Sequence, residues 1–246
     1  MELRQTMSAV NGTRSDRAIL GVRQVLSKGE TLYAEDDFAG DWFIILSGVL
    51  RTCRYLPDGH RQVTGFFFPE DVFGLEAPTR RTSAEAVTEV VLMRYDRALL
   101  DDGEGLSLPT LGHPNHLLLG ALDAAEGRIE LLGLRSACER VVGFLLRMDS
   151  LMDQDGYIFL PMGRADIADY LALTVETVSR TLSSLARKKL LSFRGAQRVL
   201  LVNREQLEDL AGGPPKSSVG MITQNIAYSR YRDVPSHLQN NQYVAH

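Results

Sequence analysis

Cysteine is scarce in this chain, and the scarcity narrows its chemistry. The two thiols, Cys53 and Cys138, cannot build a disulfide scaffold and suit a reducing compartment. Two cysteines also cannot supply a four-thiolate iron–sulfur cluster or a structural zinc site, and no His/Cys/carboxylate group has metal-ligand spacing. His113 and His116, three apart beside Pro114, read as surface histidines at a loop or helix start. Long apolar runs are missing too. Stretches such as Phe43–Leu46 and Val199–Val202 fall far short of the ~20 residues that span a bilayer. Met1 to Asp16 is polar, without the apolar core of a signal peptide. A cytoplasmic protein with no membrane partner is the expectation. Serine, histidine and aspartate occur, but none stands in a nucleophile elbow, a phosphate loop or a metal motif. No catalytic residue, metal or cofactor is therefore expected, and the chain does not read as an enzyme.

What is present points elsewhere. A chain of 246 residues allows one large domain or two small ones. A net charge of −4 argues against indiscriminate nucleic-acid binding, but the charge is unevenly spread. Residues 21–110 hold 9 Lys/Arg against 15 Asp/Glu, whereas residues 161–212 hold 8 against 6. A weakly basic unit follows an acidic one, which permits DNA binding by the second.

From Val22 to about Tyr95, short apolar stretches alternate with turn residues every 8–12 positions. Examples are Lys28-Gly29, Ser47-Gly48, Pro57-Asp58-Gly59 and Pro69-Glu70-Asp71. That spacing predicts a β-sandwich or roll. Trp42 to Leu46 reads as a strand buried on both sides, and Val49–Tyr55 with Arg61–Phe68 as a hairpin across the Pro-Asp-Gly turn. A long helix is predicted from Pro114. Leu118, Leu122, Ala125, Ile129 and Leu132 recur at intervals of 4, 3, 4 and 3, a seam suited to pairing two helices as a short coiled coil. The same stripe would also serve a helix packed on its own domain. Gly133 then interrupts the helix, and Ser136-Ala137-Cys138-Glu139 is a capping box that starts another, with Val141, Phe144, Leu145 and Met148 inward. Cys138 lies in the first turn of its helix, a position that makes it a candidate redox site, with plain helix packing as the other reading.

Residues 164–188 carry the functional signal. Ile167 and Leu171, with the small Ala168 between them, make one inner face. Leu173 fills a turn, Thr174 is an N-cap, and Val175, Val178, Leu182 and Leu185 make a second inner face. Two short helices joined by about three residues form a helix-turn-helix. Glu176, Thr177, Ser179 and Arg180 fall in the first two turns of the second helix, the part that reaches base edges in the major groove. Arg180 can donate twice to guanine, Glu176 can accept from a cytosine amino group, and Ser179 can meet a base or a thymine methyl. At i and i+4, Glu176 and Arg180 could equally form a surface ion pair. Strands at Leu190–Phe193 and Arg198–Val202, joined by Arg194-Gly195-Ala196-Gln197, then a helix capped by Asn203, complete a winged arrangement. Arg164, Thr174, Thr177, Arg187, Lys188, Lys189, Arg194 and Arg198 are candidates for contact with the DNA backbone or flanking groups.

Taken together, the roll, the long helix and the run Asp-Ile-Ala-Asp-Tyr-Leu-Ala-Leu-Thr-Val-Glu-Thr-Val-Ser-Arg-Thr-Leu resemble the CRP/FNR regulators. Glu176, Ser179 and Arg180 are similar to the FNR-type recognition helix. Val72 to Glu76, Thr82 to Ala86 and Cys138 to Leu146 resemble the FixK subgroup. The resemblance covers roughly residues 20–212. It implies an α+β fold with an N-terminal β-roll like a cyclic-nucleotide-binding domain, a long dimerisation helix and a C-terminal winged helix-turn-helix. It also implies a homodimer on double-stranded DNA, at an inverted repeat with TTGAT-like half-sites. Such a dimer would activate genes of low-oxygen respiration or nitrogen fixation through RNA polymerase. The alternative is a sensor whose roll binds a cyclic nucleotide or haem.

Departures bear on that alternative. Residues 1–52 contain no cysteine, unlike the N-terminal cysteine cluster of FNR. Leu75, not Glu, follows Phe73-Gly74, and Arg80-Arg81-Thr82-Ser83 comes after a short loop, with Arg81 the candidate to meet a phosphate. Gly163 and Ala172 stand where many relatives have a serine cap and a turn glycine. The expected divisions are a tail over 1–20, the roll over 21–112, the dimer helix over 113–134, the winged unit over 135–212, and a disordered tail over 213–246.

Overall fold

The computed structural model describes residues 21–98, 114–151, 157–195 and 197–212. The two expected tails and His113 lie outside these residues, as do the side chains of His116 and Leu118. Strands β1 (Val22–Leu26), β2 (Thr31–Tyr33), β3 (Asp41–Ser47), β4 (Leu50–Tyr55), β5 (Arg61–Phe67), β6 (Val72–Phe73), β7 (Ser83–Ala86) and β8 (Val90–Asp96) come first. They form two four-stranded sheets, ordered β1-β8-β3-β6 and β2-β7-β4-β5, with antiparallel pairing. Between the sheets sit Leu26, Tyr33, Phe43, Ile45, Leu50, Phe73 and Leu92. As expected for a strand buried on both faces, Trp42, Phe43, Ile44 and Ile45 are all sequestered; Leu46 is not. Trp42 stacks on Tyr95 at 4.5 Å. The hairpin across Pro57-Asp58-Gly59 forms, with Gly59 at φ 80°, a backbone conformation that glycine reaches without steric penalty.

Arg81 is exposed, and its neighbour Arg80 is the buried cation at 3% exposure. Arg80 donates to the carbonyl oxygens of Gly74 at 2.7 Å and Asp41 at 2.5 Å. Its guanidinium lies 4.3 Å from the Tyr33 ring centroid and 3.7 Å from the Glu76 carboxylate. The two arginines lie in the connection before β7, so no periodicity says which of them turns inward, and composition carries no hint of it.

Helix α1 (Pro114–Gly133) and helix α2 (Ala137–Leu151) are separate. The Ser136 hydroxyl accepts from the Glu139 N–H at 3.1 Å, and the Glu139 carboxylate accepts from Arg135 N–H at 3.0 Å. The capping box therefore restarts the helix after the glycine break, as its residue types dictate. Leu131 turns inward, whereas Leu119, Leu122 and Ile129 are exposed, the last at 69%. Arg147 crosses α1 at Gly127, where any Cβ would stand 1.5 Å from the guanidinium.

Beyond α2 lie β9 (Tyr157–Phe159), α3 (Arg164–Leu171), α4 (Val175–Arg187), β10 (Leu191–Arg194), β11 (Arg198–Leu201) and α5 (Arg204–Leu210). β9 was not expected: it pairs antiparallel with β11, so the wing is a three-stranded sheet ordered β10-β11-β9. Three residues are too short for a periodic signal. Val142, Phe144, Leu145, Ile167, Leu171, Val178, Leu182 and Val199 share one apolar core, and Val49, Val63 and Phe68 of the roll belong to it.

Candidate nucleic-acid interface

Glycine at 163 offers no side-chain cap for α3. Asp166, three residues on, makes only the reciprocal half of a capping box, its carboxylate accepting from the Gly163 N–H at 3.4 Å. Ile167, Ala168 and Leu171 are buried as their spacing predicts. The turn is made by Ala172, which adopts φ 53° and ψ 50°. This left-handed conformation costs a side-chain-bearing residue roughly 1–2 kcal/mol. Leu173 packs partly into the core behind the turn. Thr174 then caps α4: its hydroxyl accepts from Thr177 N–H at 3.2 Å.

Val178, Leu182 and Leu185 face inward on α4, at 0–2% exposure. Val175 does not: it is 39% exposed. Its expected place on the inner face is corrected, because the first helical residue lies beyond the reach of α3. On the outer side, Glu176 and Arg180 are exposed, and Ser179 and Thr177 are partly so. Nothing in the described chain covers them. Thr177, Ser179 and Arg180 border a shallow open concavity, along with Thr181, Ser183, Ser184 and Arg187. Thr181, Ser183 and Ser184 escaped the sequence reading, although the helical repeat carries Thr177 to Thr181 and Arg180 to Ser184.

The Arg180 Nε donates to the Glu176 backbone carbonyl at 3.4 Å. No side-chain bridge links the two among the described residues. Glu176 holds its proton less tightly than an ordinary carboxyl. Its own backbone N–H is the main cause, followed by the Thr174 hydroxyl, with Arg180 adding its charge. It is an acceptor-only group at neutral pH, the form that can receive a base amino group.

The backbone-contact candidates divide. Arg187, Lys188, Lys189, Arg194 and Arg198 are exposed cations around the second helix and the wing. Arg164 is half-buried instead, with its guanidinium 5.4 Å from the Phe193 ring centroid, so it braces α3 against the wing. Thr174 is engaged by its cap, and Thr177 shares a 3.0 Å hydroxyl contact with it. Cys138 is partly buried against the core. No cluster of three metal-ligating side chains occurs among the described residues, and no described helix is long and apolar enough to cross a membrane.

Comparison with known proteins agrees with this geometry. Residues 23–102 match the cyclic nucleotide-binding domain model, and residues 139–210 match the Crp-like helix-turn-helix domain. The nitrogen fixation regulation protein FixK of Bradyrhizobium diazoefficiens is 39% identical over 173 residues, covering 68% of this chain and 73% of that protein. FixK of Azorhizobium caulinodans is 38% identical, covering 78% and 80%. The solved structure of FixK2 from Bradyrhizobium japonicum superposes with a TM-score of 0.71 at 38% identity, covering 78% and 97%.

Proposed function

Since the chain belongs to the CRP/FNR family of DNA-binding transcription regulators, we propose that it acts as a homodimer on an inverted-repeat operator with TTGAT-like half-sites. The observation that carries this reading is the open outer face of α4, where Glu176, Ser179 and Arg180 stand clear of the described chain. Arg180 is the guanine reader, Glu176 the cytosine acceptor and Ser179 the neighbouring contact. The exposed Arg187, Lys188, Arg194 and Arg198 neutralise phosphates and add affinity without sequence information. Arg164, Thr174 and Thr177 are supports of this surface more than phosphate ligands, given what they already touch. Leu118, Leu122, Ala125, Ile129 and Leu132 form the dimer seam; the exposure of Leu122 and Ile129 in a single chain supports a partner there.

The bound dimer activates genes of nitrogen fixation or low-oxygen respiration by contact with RNA polymerase; its FixK relatives are nitrogen fixation regulation proteins. The roll needs no ligand for this. The buried Arg80 commits Nη1 and Nη2 to two backbone carbonyls and leaves its buried Nε without a hydrogen-bond partner among the described residues; what favours the unliganded reading over a cyclic-nucleotide sensor is Leu75 in place of a Glu after Phe73-Gly74. Selection of bound duplexes from a random pool by the full-length protein tests the proposal. Enrichment of a TTGAT-type inverted repeat is expected, and an unenriched pool would overturn it.

A further inference from the structure

Helix α3 carries no base-reading side chain, yet the roll grips it. Arg51 on β4 and Arg61 on β5 both reach Asp166, which is only 7% exposed. Arg51 places Nη1 2.9 Å from both Asp166 carboxylate oxygens and holds Glu85 of β7 through Nε and Nη2, at 3.1 and 2.6 Å. Arg61 donates Nη2 to Asp166 at 2.6 Å, and both Nε and Nη2 to Asp169 at 2.9 and 2.7 Å. The two acids are three apart on α3, so they share one helix face. The two arginines sit on paired strands of one rigid hairpin. Beside this ionic cluster, Tyr170 packs against Phe66 of β5 at 5.1 Å and Phe144 of α2 at 5.9 Å, with Arg128 of α1 5.2 Å from its ring centroid.

We propose that Arg51, Arg61, Asp166 and Asp169 form an ionic latch that fixes the orientation of the helix-turn-helix on the β-roll. They are positioning residues for operator binding; the inference rests on the DNA-binding reading above. Half-sites one helical turn apart demand two recognition helices at a set distance and angle. An apolar contact around Tyr170 permits rotation, because such contacts are non-directional. Each guanidinium here makes several charge-assisted N–H bonds to two carboxylates, which fixes direction as well as proximity. Burying these charges is expensive unless every partner is present, so the docked arrangement is the one in which all four are satisfied.

The Arg61–Asp169 pair provides the test, because Asp166 also caps α3. In the full-length protein, Arg61→Asp and Asp169→Arg are compared singly and together. Each single change should lower the ratio of operator to random-duplex affinity at least about fivefold, within the usual range of coupling between sites. The double exchange should recover most of the operator affinity. Spin labels at Asp58 and Glu205, in a Cys138→Ser background with labelled chains diluted by unlabelled ones, report the distance from the roll to α5 of the winged unit without DNA. The distance distribution should broaden in the single variants and narrow again in the double. A distribution unmoved by either single exchange, or broadened in both and not restored in the double, would overturn the latch. If the wild type shows no operator preference, the functional reading fails, and the label distances still decide the latch.

Discussion

Arg80 and Arg81 are neighbours with opposite fates, and cysteine repeats the lesson at the residue scale. Cys53 is fully buried on β4, with its sulfur 3.5 Å from the Glu85 carboxylate. Burial, then the adjacent Glu85 charge, pushes its thiol up to about 12. The thiolate is the reactive form, so Cys53 should resist iodoacetamide in the native protein at pH 8 and react only after unfolding. Native alkylation at Cys53, read by mass spectrometry, would contradict this placement. The sequence singled out Cys138 from its helix position, which needs only local rules. It contained no sign of the environment of Cys53, which depends on a strand 32 residues away. Long-range partners explain most of what sequence reading missed: the burial of Arg80, the seat of Arg164 on Phe193, and the carboxylates gripped on α3. The outward placing of Glu176 and Arg180 was legible because a 3.6-residue repeat is a local property.

At the scale of elements, the helices and the wing hairpin were readable and the third wing strand was not. α2, α4 and α5 begin at Ser136, Thr174 and Asn203, each a side-chain cap that accepts a backbone N–H. β9 has three residues and exists because β11 offers it an edge. The turn between α3 and α4 holds a measurable defect. Ala172 sits in the left-handed region, where glycine is unstrained but loses more chain entropy on folding. The strain exceeds the entropy term, so Ala172→Gly should stabilise the winged unit by on the order of 0.5–1 kcal/mol. A rise of a few degrees in the thermal midpoint is expected; an unchanged or lower midpoint would show the turn to be relaxed as it stands.

For the whole molecule, the order of roll, long helix and winged unit followed from turn spacing, one heptad stripe and a capping box. Their mutual docking did not, since no periodicity encodes Arg61 meeting Asp169. Pairing of two chains is the remaining step. The apolar Leu122 and Ile129 are exposed on α1, and a charge among them would be desolvated in a paired helix. Leu122→Asp should therefore give monomers in sedimentation and much weaker operator affinity, because half-sites ~34 Å apart need linked heads. A persistent dimer would place the interface elsewhere.

The central claim is that α4 reads bases, and Arg180→Ala measures it most directly. Affinity of wild type and variant should be compared on the selected operator and on random duplex, across a salt series. Loss of about 1–3 kcal/mol on the operator is expected, with near-equal binding on random duplex and an unchanged salt slope. Equal loss on both duplexes, with the slope reduced by about one, would make Arg180 a phosphate contact and contradict the account.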